Sequence, residues 1–98
     1  IDHNGSQSFG ITKYTHPNFY PLVEKIKSFG WECKSVNGHN VSSIINAYKT
    51  KKTNKPLMIV CNTIKGKGVS FMENKPIWHY RSPNKKEYKI AIKEILKK

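Results

Sequence analysis

Leu57-Met58-Ile59-Val60-Cys61-Asn62-Thr63-Ile64-Lys65-Gly66-Lys67-Gly68 decides the fold of this chain. The apolar run from Leu57 to Cys61 is unbroken. Its lack of alternation predicts a strand buried on both faces, the pattern of a parallel sheet. The strand runs straight into Gly66-Lys67-Gly68, and Trp78-His79 follows. Open parallel sheets bind ligands beyond the carboxyl ends of their strands. The loop holding Gly66, Gly68 and His79 is therefore expected to rim a site.

Upstream, Pro56 seals the polar run 49–55, where a helix ends. That helix is predicted to start at Asn40, a good N-cap, with Val41, Ile44, Ile45 and Tyr48 on one face. Before it, residues 31–36 alternate: Trp31, Cys33 and Ser35 on one side, Glu32 and Lys34 on the other. This predicts a short strand, ended by Asn37-Gly38-His39. Phe19, Leu22, Val23 and Ile26 predict a further helix, closed at Phe29 and Gly30 by a glycine suited to a left-handed cap. Residues 6–14 carry no period and are expected to form a loop. Ile1-Asp2-His3-Asn4-Gly5 reads as a strand end breaking into an Asn-Gly turn.

Downstream, residues 72–81 read as irregular. Ser82-Pro83-Asn84 opens a last helix, with Asn84 and Glu87 at capping-box spacing. Its expected core face is Tyr88, Ala91, Ile92, Ile95 and Leu96. The order strand, loop, helix, strand, helix, strand, long loop, helix predicts an α/β domain. It should have three layers, with helices covering a mostly parallel sheet. The first strand reads as cut at its start, so part of the sheet is expected to lie outside this chain.

Ninety-eight residues make one small domain or a piece of one. No basic-then-apolar leader opens the chain, and no apolar run is long enough for a bilayer, so neither secretion nor membrane insertion is expected. Cys33 and Cys61 read as buried free thiols on strands, a disulfide being the alternative, and a cytoplasmic setting is expected. The net charge of +12 comes from 18 basic and 6 acidic residues. Such an excess fits either a nucleic-acid surface or solvated helix faces. Arg81 is the sole arginine and the lysines are scattered. Specific phosphate and base readout favours the planar guanidinium, so the lysines are assigned to solvated faces and no specific nucleic acid is expected.

A few residues have chemistry to offer. The Asn4 carbonyl can ligate a hard cation such as Mg²⁺, or merely shape its turn. Gly66 and Gly68 permit positive φ and close approach, which serves either a phosphate cradle or a tight strand exit. No Lys-Ser/Thr pair follows them, so this is not a Walker loop. The His79 imidazole can bind an anion or move protons, or can be structural. His39 is assigned to the turn before its helix, and His3 and His16 suggest no shared geometry. No Cys/His spacing suggests zinc.

In order along the chain, these residues resemble one family. Asp2-His3-Asn4-Gly5-Ser6-Gln7-Ser8-Phe9-Gly10 is similar to the close of the thiamin-diphosphate motif that starts in Gly-Asp-Gly and ends in Asn. Gly30-Trp31, Asn37-Gly38-His39-Asn40, Lys55-Pro56, Thr63-Ile64-Lys65-Gly66-Lys67-Gly68 and Trp78-His79 resemble transketolases, above all the separate N-terminal subunit of split transketolases. The resemblance implies two-carbon ketol transfer between sugar phosphates, with thiamin diphosphate and Mg²⁺ as cofactors. It implies that Asn4 and the Ser6 carbonyl hold Mg²⁺, and that Ser8 lines the cofactor cleft. Gly66 and Gly68 would shape the loop leading to His79, which would contact the diphosphate and the substrate. The Gly-Asp-Gly half of the motif and the activating glutamate are missing from this sequence. The chain therefore looks like the C-terminal part of a pyrophosphate-binding domain, inactive alone, partnered by a C-terminal subunit or domain in an oligomer. A 1-deoxyxylulose-5-phosphate synthase-like or other thiamin-diphosphate enzyme is the nearest alternative, and a lysine-rich nucleic-acid-binding module the rival of another class.

Overall fold

The computed structural model describes residues 1–8 and 10–97. Three parallel strands form the sheet, in the order β1 (Asp2–His3), β5 (Leu57–Asn62), β4 (Glu32–Asn37). Asp2 aligns with Cys61, and Glu32 through Asn37 align with Leu57 through Asn62. The expected central strand is therefore central, flanked on both edges. Its burial is less complete than its composition suggests: Val60 is 2% exposed, while Leu57, Met58, Ile59 and Cys61 are half-buried. Three strands and their two nearest helices cover too little area to bury it throughout.

Side chains alternate across a strand. With this register, Cys33, Met58 and Val60 share one face, against Ile26, Leu22 and Val23 of α2 (Leu22–Ser28). Lys34 lies on the other face, where its Nζ donates to the Ala47 carbonyl of α3 (Val41–Lys49) at 2.8 Å. The three layers follow, α2 on one side of the sheet and α3 on the other. Cys61 sits one residue out of phase with Val60, so it faces away from Cys33. Both thiols are free.

Local rules account for most ends. Gly30 closes α2 at φ +85°, its N–H on Lys27. The Asn40 side chain accepts from Ser43 N at 3.0 Å. At α4 (Lys85–Leu96), Asn84 accepts from Glu87 N while Glu87 accepts from Asn84 N, a complete capping box. The run 49–55 is ordered by Glu32, whose carboxylate accepts from Lys52 N, Thr53 N and the Thr53 hydroxyl.

Five expectations change. Residues 6–14 are not a plain loop: β2 (Ser6–Gln7) pairs antiparallel with β3 (Gly10–Ile11), and α1 (Thr12–Thr15) follows. Elements this short hold too few residues to print a period. Phe19 lies in a 3₁₀ turn (Pro17–Phe19) ahead of α2, and a second 3₁₀ turn, Pro76–His79, interrupts the irregular stretch. The strand expected at 31–36 is shifted by one residue. The apolar faces assigned to α3 and α4 are largely uncovered: Val41, Tyr48 and Leu96 are 69%, 72% and 78% exposed, and the smaller Ala47 and Ala91 are the buried contacts. Periodicity reports an apolar stripe, not whether anything packs on it.

Candidate functional site

Because the strands are parallel, all three carboxyl ends lie at one end of the sheet. Asn4 follows β1, Asn37-Gly38-His39 leave β4, and Asn62-Thr63-Ile64 leave β5. These ends are tied together. Gly38 N donates to the Asn62 carbonyl at 2.8 Å, and Thr63 N to the His3 carbonyl at 3.1 Å. The Thr63 hydroxyl donates to the Asp2 carboxylate. A Cβ on Gly38 would stand 2.5 Å from the Thr63 methyl and 2.9 Å from Cys61 Cβ, so only glycine lets the two exits close up. His39 does more than serve its own turn. Its Nε2 accepts from Ile64 N at 2.8 Å and so pins the start of the glycine loop to the exit of β4.

A polar chain that sequence reasoning missed crosses these ends. Asn62 Nδ2 donates to Ser35 Oγ at 2.8 Å and to the Val36 carbonyl at 3.1 Å, which turns its Oδ1 toward His3 Nδ1 at 2.8 Å. Nδ1 of His3 must then carry a proton. Nε2, in the neutral ring, accepts from the Tyr20 hydroxyl at 2.9 Å. Phe19 stacks on the same imidazole, with centroids 6.3 Å apart. The sequence separation of 59 between His3 and Asn62 hides this contact from local reading.

Asn4 and Ser6 lie together. Gly5, at φ +69°, makes the turn, and Asn4 Oδ1 accepts from Ser6 N at 2.9 Å. Both line a cavity of about 680 Å³, with His3, Thr12, His16 and Phe19 among its walls. That volume is in the range of small-molecule sites. Ser8, at φ +46°, lines a smaller neighbouring hollow of about 280 Å³ with Gln7, Gly10, Thr15 and His16. Neither hollow includes Gly66, Gly68 or His79 in its lining.

The glycine loop folds on itself. Gly66 has φ +76°, and a Cβ there would stand 2.6 Å from the Met72 carbonyl oxygen. Gly68, at φ +104°, donates its N–H to Glu73 at 3.1 Å. Asn74 N donates to the Lys65 carbonyl at 2.9 Å and closes the loop. Beyond it, His79 ends the second 3₁₀ turn, exposed, with no side-chain hydrogen bond to any described residue. Its neighbour Trp78 is held: Nε1 donates to the Phe71 carbonyl at 3.2 Å.

Among the described residues, no group of three or more His, Cys, Asp or Glu side chains could hold a metal ion. What the Asn4 turn presents is neutral oxygen, the Asn4 carboxamide and the Ser6 carbonyl. That donor chemistry fits a share of a site for a hard cation such as Mg²⁺, whose remaining ligands come from elsewhere. Asn4 Oδ1 spends one lone pair on Ser6 N and keeps the other. No described helix is long and apolar enough to cross a membrane.

No family model matches the chain. Individual proteins do. It is 40% identical over 98 residues to the 6-deoxy-6-sulfo-D-fructose transketolase subunit SqwG of Clostridium sp. (strain MSTE9), covering 98% of this chain and 35% of that protein. It is 34% identical over 76 residues to an apulose-4-phosphate transketolase subunit of Actinobacillus succinogenes, 76% of this chain and 28% of that one. Human transketolase is 32% identical over 72 residues, 74% of this chain and 11% of the enzyme. The chain spans about a third of the length of the transketolase subunits it matches. The stretches that build its strand exits and its glycine loop thus fall within the matched span, and the chain belongs to the transketolase family.

Proposed function

We propose that this segment forms part of the thiamin-diphosphate site of a transketolase that moves a two-carbon ketol unit between sugars. One observation carries the reading: the parallel order β1-β5-β4 puts the Asn4 turn and the root of the loop bearing Gly66, Gly68 and His79 at the same end of the sheet. Asn4 and the Ser6 carbonyl would hold Mg²⁺, and Ser8 would line the cleft. Gly66 and Gly68 shape the loop that leads to His79. When bound, thiamin diphosphate supplies the nucleophilic carbon and the electron sink for C–C cleavage. His79, exposed and with no side-chain hydrogen bond to any described residue, can donate to the diphosphate and to the oxygen where charge develops on the sugar.

The remaining Mg²⁺ ligands and the activating glutamate would come from other parts of the complete enzyme, including a C-terminal partner subunit or domain, within an oligomer. Two relatives are named for a sulfo-sugar and a sugar phosphate, both with an anionic group. This supports an anionic sugar, such as a sugar phosphate, as substrate. A cytoplasmic setting belongs to the same proposal. The test uses the complete subunit with its partner. Asn4→Ala should weaken Mg²⁺-dependent cofactor binding about tenfold or more, and His79→Ala should lower kcat by roughly 10²-fold. Unchanged cofactor titration in the first and unchanged kcat in the second would overturn the reading.

A further inference from the structure

Resting on that reading, we propose that Arg81 is a positioning residue for His79, acting through a clamp on Trp78. The His79 imidazole makes no hydrogen bond to a described residue, so its placement depends on the backbone of its short turn. That backbone is fixed next door. The Arg81 guanidinium lies 4.4 Å from the centroid of the Trp78 ring. Phe71 meets the same indole edge-on, at 5.3 Å between centroids, and its carbonyl accepts from Trp78 Nε1 at 3.2 Å. Trp78 is held from two sides.

Arg81 is itself anchored. Its Nη2 donates to both carboxylate oxygens of Glu87 at 2.6 Å, and its backbone N–H donates to the Ile77 carbonyl at 3.2 Å. Glu87 is the N3 residue of the capping box that starts α4, a helix of 12 residues. The line of force runs from that helix through Glu87, Arg81 and Trp78 to the residue bearing the imidazole. The backbone at His79 cannot shift far without pulling the neighbouring indole off the guanidinium.

The side-chain chemistry explains the choice of residue. Among 18 basic residues, Arg81 alone is arginine. A planar guanidinium can stack on an indole while its edge bonds a carboxylate, whereas an ammonium is a compact, strongly hydrated point charge. Arginine stands where stacking and bidentate hydrogen bonding are needed at once.

The experiment uses the complete subunit with its partner, loaded with thiamin diphosphate and Mg²⁺, and measures ketol transfer with kcat and KM separated. Arg81→Ala should lower kcat about tenfold with cofactor affinity little changed. Arg81→Lys should recover part of the loss, and Glu87→Gln should fall between them. The decisive readout is the pair with His79→Ala: the His79→Ala/Arg81→Ala double variant should turn over no slower than His79→Ala alone. If Arg81→Ala costs as much without His79 as with it, Arg81 acts elsewhere and the proposal is overturned while the site reading stands. A full-rate Arg81→Ala beside an impaired His79→Ala has the same meaning. A full-rate His79→Ala overturns the site reading, and this proposal with it. Should Arg81→Ala fail to fold, Arg81→Lys and Glu87→Gln are read in the same cycle.

Discussion

Single residues here are defined by a few partners each, and pH reads some of them. Glu87 has its carboxyl held below the ordinary carboxylate range, first by the hydrogen bonds from Arg81 and then by Asn84 N. A lowered native value means that its contribution is complete above the unfolded-state value and is lost as pH falls through the folded one. Glu87→Gln is therefore expected to lower the denaturation midpoint near neutrality and to flatten the acid limb of its pH profile, the two proteins converging at low pH. Glu32 also sits low: desolvation pushes it up, but the N–H groups of Lys52 and Thr53, the Thr53 hydroxyl and Lys34 outweigh that. Cys33 goes the other way, its thiol raised by burial. Thiolate is the reactive form, so iodoacetamide should label Cys61 well before Cys33, as peptide mass spectrometry would read. Equal rates would mean the sheet face over Cys33 opens freely.

At the scale of elements, the strand exits and the glycine loop depend on close approach. Gly38→Ala forces a methyl into Thr63 and Cys61 and should push β4 and β5 apart at their carboxyl ends, with a loss of about 1–3 kcal/mol by urea denaturation. Gly66→Ala meets both the Met72 carbonyl and a positive φ, and should lose about as much or more. The capping box on α4 is a separate term: Asn84→Ala should cost about 1 kcal/mol by the same measurement. A neutral result at Gly66 would mean that the 72–74 turn shifts away without penalty. Ser70 ties the loop to α4, its N–H and hydroxyl both on Glu94, at 2.6 and 2.8 Å. The stretch that carries His79 is thus braced against the last helix on both sides of it, at Ser70 and at Arg81.

For the whole molecule, the sheet and its helices form a flat body of 50 × 31 × 14 Å, too thin to enclose its apolar side chains. The stripe Val41, Ile45 and Tyr48 on α3 is 69%, 47% and 72% exposed. A contiguous exposed apolar stripe is an association surface. The 98-residue chain on its own is expected to self-associate despite its charge of +12. Replacing Val41 with Asp and Tyr48 with Glu should shift sedimentation toward monomer and reduce binding of a hydrophobic dye. Unchanged sedimentation would place the association elsewhere.

The sequence by itself determined what is local. The apolar run at 57–61 specified a central strand because it is short, rich in β-formers and bounded by Pro56 and the glycine loop, and Asn40, Asn84 and Gly30 marked helix ends because caps act within a few residues. The Asn-Gly turn after β1 and the glycines after β5 were legible for the same reason. Only the tertiary structure decided what depends on strand order. The contact of His3 with Asn62, the bond from Ile64 N to His39, and the clasp of Arg81 on Trp78 and Glu87 join residues whose partners no local pattern announces. The same holds for exposure: hydrophobic spacing shows which side of a helix is apolar, and the elements actually packed there decide whether that side is a core.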